Sequence, residues 1–388
     1  MVVISATDLG YIDLAVNFYL SSIKRHKISN FLFICLHPEA CRVLRQFSDR
    51  VETFYGGIVE SADRPSNFFS REFNEKTHAK LKWVITALKM GYNVLLSDVD
   101  IHYFKNPLGT LYSHLRKCDI QIQWDRDELE MKYNSGFYFL KASHLTVELL
   151  RRAIWLAEHD NFTQSDQYYL NTAIRYSVSK FGLKLCELDK STFPCGSVYF
   201  HEGQREFYDD SPCKDCVIAH NNWIISAASK RYRAREHLFW NVDIPSGYYS
   251  AKGRKYLTYD QQRTPSKNKQ LRNLKRALCL AEKLNRLVVL PKFFCLEQKV
   301  RLCNLLSIVN QTNMDAFELV YGKFYREYSF LNNKLVPNEI RNKNNWKKIK
   351  IGSCRNLHSI QSDFNRYPVL QLSFEWDTCK CKFGKDSI

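Results

Sequence analysis

Residues 94–104 read Val-Leu-Leu-Ser-Asp-Val-Asp-Ile-His-Tyr-Phe, a short apolar run that ends in two carboxylates one residue apart, Asp98 and Asp100. Buried strands of parallel sheets are short, continuous apolar runs, so Val94–Leu96 reads as a central strand. Ligand crevices in open α/β sheets lie at the carboxyl ends of such strands. Carboxylates placed there cost desolvation free energy unless a cation offsets it. A divalent metal holding a diphosphate supplies that cation, because hard oxygen ligands suit Mg²⁺ or Mn²⁺. Asp-x-Asp alone is a common tripeptide, and an N-cap or turn pair with no ligand explains it equally well.

Working outward, the same alternation continues on both sides. Val2–Ser5, Phe31–Leu36 and Val51–Phe54 are strand candidates, with helical spacing between them over Ile12–His26 and from Pro38. Thr77–Met90 carries Leu81, Val84, Ile85 and Leu88 on one face, and Gly91 stands where a helix C′ glycine belongs. Strands are expected again at Asp119–Gln123 and Phe137–Leu140, and helices around His144–Glu158 and Ser165–Tyr176. Strand–helix alternation from the first residue predicts an α/β fold with a mainly parallel sheet. Cys186–His220 reads as loop-rich and Ser250–Leu271 as a polar linker; beyond it Leu274–Leu284 is a helix, and Leu287–Leu290 a strand stopped by Pro291.

Composition limits the possibilities. The 388 residues are 45% hydrophobic, with 25 Phe, 22 Tyr and 7 Trp, which excludes a largely disordered chain. The net charge of +17 is uneven: residues 261–388 hold 24 Lys+Arg against 10 Asp+Glu, while the first 260 residues hold 33 against 30. That asymmetry suggests two units, the second with a basic face open to an acidic glycan, a nucleic acid or a headgroup surface. Thirteen cysteines fit an oxidising lumen, where Cys295 with Cys303, or Cys379 with Cys381, would pair. Cys213-x-x-Cys216 lacks a second pair at zinc-finger spacing. Asn161-Phe-Thr163 and Asn310-Gln-Thr312 are glycosylation sequons. Met1-Val-Val-Ile-Ser-Ala6 is unlike a signal peptide, and no apolar stretch reaches a membrane span of about 18 residues. The expectation is a soluble chain, or one given without its natural N-terminal anchor.

Further groups join the aspartates as candidates for one site. Asn134-Ser135-Gly136 offers an amide, a hydroxyl and a glycine that lets backbone approach a ligand. Ser165-Asp166-Gln167 lies at a helix start, and Ala219-His220-Asn221-Asn222-Trp223 supplies an imidazole. Two carboxylates and a histidine make a Mn²⁺ shell with positions left for phosphate oxygens. Trp124 and Trp223 are candidates for stacking on sugar faces, with core packing as the alternative.

The ordered set Lys-Trp-Val-Ile-Thr-Ala-Leu-Lys-Met-Gly-Tyr-Asn-Val-Leu-Leu-Ser-Asp-Val-Asp-Ile (82–101), Asn-Ser-Gly-Phe-Tyr-Phe-Leu (134–140), Ser-Asp-Gln-Tyr-Tyr-Leu-Asn (165–171) and Ala-His-Asn-Asn-Trp (219–223) resembles the nucleotide-diphospho-sugar transferase domain of glycosyltransferase family 77. The resemblance covers about residues 1–225, and Arg272–Pro291 is more loosely similar to a stretch that follows the domain in some members. It implies a GT-A type, Rossmann-like nucleotide-sugar-binding domain over 1–250, a linker over 251–271 and a smaller basic α/β region over 272–388. It further implies a UDP-sugar donor of the pentose or galactose class, a glycan or glycoprotein acceptor, retention at the anomeric carbon, Mn²⁺ (or Mg²⁺), and the Golgi lumen. A membrane anchor belongs to the family and is absent from this sequence. No nucleic-acid partner is implied.

Carried over by position, the resemblance makes Asp100 and His220 metal ligands, and Asp98 a ligand of the metal, through water, or of the ribose. Thr7 and Asp8 line the nucleotide; Lys82, Ser135 and Gly136 contact the donor; and Asp166, Gln167 and Asn134 lie at the reacting face. Two rivals stand beside it. A haloacid-dehalogenase-type phosphohydrolase also places Asp-x-Asp after an apolar strand, but near its first strand and with a threonine or valine where His102 stands here. A non-enzymatic glycan- or nucleic-acid-binding protein would use Arg231-Tyr-Arg233-Ala-Arg235 and the cationic C-terminal region.

Overall fold

The computed structural model describes residues 1–47, 52–55, 63–66, 70–203, 205, 207–208, 211, 213–296, 300–351 and 364–374. The chain forms two compact units, Met1–Gln204 with Ser211–Lys230 and Arg205–Asp210 with Arg231–Ile388.

The first unit is built in chain order from β1 (Val2–Thr7), α1 (Ile12–Phe18), β2 (Phe31–Cys35), α2 (Pro38–Arg45), β3 (Glu52–Tyr55), α3 (Arg71–Lys89), β4 (Val94–Ser97), β5 (Ile101–Tyr103), α4 (Leu108–Ser113), β6 (Ile120–Trp124), β7 (Tyr133–Leu140), α5 (His144–His159), α6 (Asp166–Phe181), β8 (Leu185–Leu188) and β9 (Ile218–His220), and ends within α7 (Ala227–Glu236). One sheet runs β3-β2-β1-β4-β7-β6-β8. All neighbours in it are parallel except β7, which is antiparallel to both β4 and β6. The α/β, mainly parallel expectation is met. Val94, Leu95 and Leu96 are fully buried in mid-sheet, which is why β4 is apolar at every position and not alternating. Val94 and Leu96 join Leu81, Val84 and Leu88 of α3 and Leu149, Leu150, Leu170 and Ile174 of α5 and α6 in one core. Truncating such a leucine to alanine costs about 2–5 kcal/mol.

Helix α3 begins earlier than its apolar stripe suggests. Ser70, in extended conformation, accepts the Phe73 amide hydrogen at 3.1 Å and caps it, adding a turn and a half that carries Asn74 and Lys76 inward. At the other end Gly91 adopts φ +84°, as a C′ glycine does. Disulfides join Cys35 to Cys41, Cys118 to Cys186, Cys213 to Cys216 and Cys295 to Cys303, so the expected Cys295–Cys303 pair forms. Cys379 and Cys381 lie outside the described residues. Among the described residues no helix is long and apolar enough to cross a membrane.

The second unit has its own sheet. Its strands are β10 (Tyr256–Tyr259), β11 (Leu287–Val289), β12 (Phe293–Leu296), β13 (Val300–Cys303), β14 (Tyr325–Arg326), β15 (Trp346–Ile351) and β16 (Val369–Phe374). Five of them form a parallel sheet in the order β14-β11-β10-β16-β15, and β12 and β13 make a separate antiparallel hairpin. Helix α8 (Lys267–Lys283) follows β10. The polar stretch 251–271, expected to be a linker, thus holds the central strand of this sheet and the first turn of α8. Tyr256, Leu257 and Tyr259 bury their side chains, and the lysines and glutamines around them mask that signal.

Candidate metal and diphosphate site

The end of β4 and the short β5–β9 pair make the site. Asp100 directly precedes β5, and Ile101 pairs with His220 of β9, so the ladder itself carries the imidazole to the second aspartate. The Asn221 amide donates to the Asp100 carbonyl at 2.9 Å and closes the register. His220 Nε2 stands 3.3 Å from Asp100 Oδ1. One ligand atom from each of Asp98, Asp100 and His220 falls within 4.8 Å of the others.

The orientation of the His220 ring follows from its neighbour. Gln123 Nε2 donates to the Phe193 carbonyl at 3.0 Å, which leaves Oε1 to accept from His220 Nδ1 at 2.9 Å. With Nδ1 engaged by Gln123, Nε2 is the nitrogen that faces Asp100 and would ligate a metal. Oxygen and nitrogen ligand atoms gathered this way attract a cation. Two carboxylates and one imidazole nitrogen suit a divalent ion such as Mn²⁺ or Mg²⁺, and the donor set fits.

Gly136 lies against this cluster. Its carbonyl accepts from the Asp98 amide at 2.7 Å, and a Cβ on it would sit 2.6 Å from both Asp98 Oδ2 and His220 Cε1. The glycine foreseen as permitting close approach is in contact with the aspartate and histidine themselves.

Lysines pair with the carboxylates. Lys230 Nζ lies 2.7 Å from Asp100 Oδ2. Burial would raise the pKa of Asp100, but Lys230 and His220 outweigh it and hold the carboxyl below its usual range. From α3, Lys80 Nζ lies 3.1 Å from Asp98 Oδ1 and 3.1 Å from Asp166 Oδ2. Burial disfavours charge on Asp166 as well, and Lys80 and His78 reverse that and lower its pKa. One turn earlier, Lys76 Nζ lies 2.7 Å from Asp8 Oδ2. There burial prevails over the ion pair, and the Asp8 pKa is raised.

Lys82 is not at the site. It is solvent-exposed, 3.7 Å from Glu158, because two residues along a helix rotate a side chain by about 200° away from Lys80. The pair at Lys76 and Lys80 shares a face at i, i+4 spacing, and that spacing was the available signal.

Asn134 and Gln167 converge on a residue that sequence reading missed, Asp125. Buried at the end of β6, it accepts from Asn134 Nδ2 at 2.8 Å, Asn222 Nδ2 at 2.9 Å, Gln167 Nε2 at 3.1 Å and Trp223 Nε1 at 3.2 Å. Asn134 Oδ1 accepts the Gly136 amide at 2.7 Å, and Gln167 Oε1 the Ser135 amide at 3.4 Å. Asn134 and Gln167 therefore brace the start of β7, which carries Ser135 and Gly136. No local pattern marks Asp125; Asp-Arg-Asp-Glu after a strand looks like an ordinary polar turn.

Thr7 is buried at the end of β1 and donates from Oγ1 to the Asp8 carbonyl at 3.2 Å, and Asp8 Oδ1 caps the next turn through the Tyr11 amide. Trp124 is buried with Lys190 over its ring at 3.5 Å, whereas Trp223 is half-exposed at φ +56° with the Arg126 guanidinium 4.5 Å above it. Arg233 and Arg235 are buried, Arg235 against Trp240 and Tyr248, so Arg231–Arg235 does not form an exposed nucleic-acid-binding stripe.

The fold and this geometry define a GT-A transferase architecture, a mainly parallel sheet with an Asp-x-Asp at the end of its central strand. Residues 26–234 match the family model "Nucleotide-diphospho-sugar transferase", and the chain belongs to that family. It is similar to the beta-arabinofuranosyltransferase RAY1 of Arabidopsis thaliana, 26% identical over 62% of this chain and 48% of that protein. It is also similar to the UDP-galactose:fucoside alpha-3-galactosyltransferase of Dictyostelium discoideum, 26% identical over 41% of this chain and 27% of that protein. The chain thus spans half or less of the length of these relatives. Among solved structures, the glycosyltransferase GlyE of Streptococcus pneumoniae TIGR4 aligns over 98% of this chain and 93% of its own at 14% identity, with a TM-score of 0.42.

Proposed function

We propose that the chain is a metal-dependent, retaining glycosyltransferase that moves a sugar from a UDP-sugar to a glycan or glycoprotein acceptor. The observation that carries this is the convergence of Asp98, Asp100 and the Nε2 face of His220 within 4.8 Å at the carboxyl end of β4. Asp98, Asp100 and His220 would hold Mn²⁺ or Mg²⁺. When bound, such an ion is a Lewis acid that draws charge from a departing diphosphate.

The chain's own groups do the rest. Lys230, already paired with Asp100 and the more exposed of the two lysines, is positioned to turn toward phosphate oxygens when a donor enters, while Lys80 stays between Asp98 and Asp166. Asp166, kept charged by Lys80, faces the developing positive charge on the sugar as it leaves from the same side that the acceptor approaches. Asn134 and Gln167, each anchored on Asp125, bond the backbone amides of Gly136 and Ser135 and hold the start of β7 rigid for the donor. Thr7 and Asp8, at the first strand–helix turn, line the nucleotide. The half-exposed Trp223 offers an aromatic face to a sugar. The names of the two relatives point to arabinofuranose and galactose, which supports a pentose or galactose donor. Disulfides fit a secretory lumen, with the Golgi as the compartment where such acceptors are made.

The phosphohydrolase alternative loses ground because β4, which leads to Asp98, is the fourth strand of the chain and not the first. The test is release of UDP from a panel of UDP-sugars by wild type and Asp100→Ala with and without EDTA. Slow, Mn²⁺-dependent hydrolysis of one donor, lost in the variant, supports the proposal. Folded wild type that hydrolyses none of them, or an Asp100→Ala variant of full activity, refutes it.

A further inference from the structure

The second unit contains a crevice of its own. In the parallel sheet β14-β11-β10-β16-β15 the chain runs outward from β10 through β11 to β14, then crosses to the far edge at β15 and returns beside β10 as β16. Strand order therefore reverses between β10 and β16, and open α/β sheets bind ligands outside the carboxyl ends of the strands at that point. A cavity of about 430 Å³ lies there, lined by the end of β10 and the residues after it (Thr258–Gln261), by Leu290–Lys292 after β11 and by Tyr328 after β14.

Its lining is cationic. Lys292, Arg341 and Lys343 line it together with Asp260, and among the described residues none of the three forms an ion pair. Lys292 rests 5.3 Å from the Tyr328 ring and Lys343 5.9 Å from the Trp346 ring. Arg341 is anchored through Nε to the Val336 carbonyl at 2.9 Å. Each cation thus lies near a ring or a backbone oxygen, with no carboxylate paired to it among the described residues. Gln261 Oε1 is buried with no hydrogen-bond partner, an acceptor that a hydroxyl would satisfy. Asp260 offers carboxylate oxygens of the same use.

We propose that this crevice binds an acidic saccharide, a short run of uronate sugars. Carboxylates on the sugar meet Lys292, Arg341 and Lys343; hydroxyls meet Asp260 and Gln261; Tyr328 and Trp346 border the sugar faces. A nucleotide fits less well. Sites of this architecture hold a diphosphate on backbone amides of a glycine-rich turn that leads straight into a helix. Here residues 260–266 separate β10 from α8, contain no glycine and include Pro265. The cations come from two separate segments and suit charges spread along a chain.

The experiment is calorimetric titration of the full chain with trigalacturonate, maltotriose and UDP, repeated on Lys292→Glu/Lys343→Glu and on Asp100→Ala. Both lysines are exposed and unpaired, so the double variant should melt with wild type. The expected result is saturable trigalacturonate binding that weakens with salt, exceeds maltotriose binding at least tenfold, falls at least tenfold in the double variant and survives Asp100→Ala. Absence of saturable trigalacturonate binding, equal binding by the double variant, or a double variant that loses UDP binding instead would overturn the proposal. Because Asp100→Ala probes the first unit alone, failure of the transferase reading and failure of this one are told apart.

Discussion

Gln123 Oε1 accepts the Nδ1 hydrogen of His220 across 2.9 Å, and this one bond decides which imidazole nitrogen faces Asp100. Without it the ring is free to turn or to change tautomer, and the cluster loses its third candidate ligand. Gln123→Met removes the acceptor at nearly constant volume. Mn²⁺ affinity should fall roughly 10–100-fold, the usual effect of deleting a partner behind a metal-binding histidine. Titration of Mn²⁺ into wild type and variant reads this directly; unchanged affinity would mean that His220 is not a ligand.

The two helix lysines should behave oppositely. Lys80 is buried between Asp98 and Asp166, and Lys80→Met leaves both carboxylates without their cation, a loss of about 3–5 kcal/mol for a buried pair. Activity should fall at least a hundredfold, with a lower melting temperature. Lys82→Ala, on the exposed face near Glu158, should stay within twofold of wild type in both. Rates and thermal melts of the two variants, taken side by side, check the assignment.

Gly136→Ala tests how tightly β7 packs against the site. The added methyl meets Asp98 Oδ2 and His220 Cε1 at 2.6 Å, and atoms that close must move. Mn²⁺-dependent activity is expected to drop by more than tenfold. The core of the first unit, which does not involve Gly136, should still melt cooperatively by circular dichroism.

In the second unit, buried Glu236 accepts from Tyr232 Oη at 3.0 Å and from Asn304 Nδ2 at 2.8 Å, and burial pushes its pKa up to about 8, with nearby Glu327 adding to the rise. A carboxyl whose pKa is higher folded than unfolded stabilises the fold below the unfolded value and gives that stability up as pH climbs through the folded one. Stability is therefore expected to decline between about pH 4.5 and 8. Glu236→Gln, which cannot ionise, should flatten that decline. Melting temperatures of both proteins at pH 5, 6.5 and 8 test it; parallel curves would rule out Glu236 as the cause.

What was legible in the sequence follows from what is local. The β4 run and the α3 stripe at Leu81, Val84, Ile85 and Leu88 are periodic signals set by burial, and both elements are where those patterns put them. Asp98, Asp100 and His220 were readable as an ordered set, since each stands beside a strand end. Asp125 was not, because its importance comes from Asn134, Gln167, Asn222 and Trp223, which the fold brings to it from distant segments. Lys82 was chosen over Lys80 because position in a motif says nothing of helical face. In the second unit, Tyr256–Tyr259 was hidden by its polar surroundings, yet it is the strand from which the sheet is built.

The most direct measurement is calorimetric binding of UDP with and without Mn²⁺, to wild type and to Asp100→Asn, a variant that keeps the size and shape of the side chain. A metal centre formed by Asp98, Asp100 and His220 predicts UDP binding that requires Mn²⁺ and falls at least tenfold in Asp100→Asn at unchanged melting temperature. Equal UDP binding by both proteins, or binding indifferent to Mn²⁺, would contradict it.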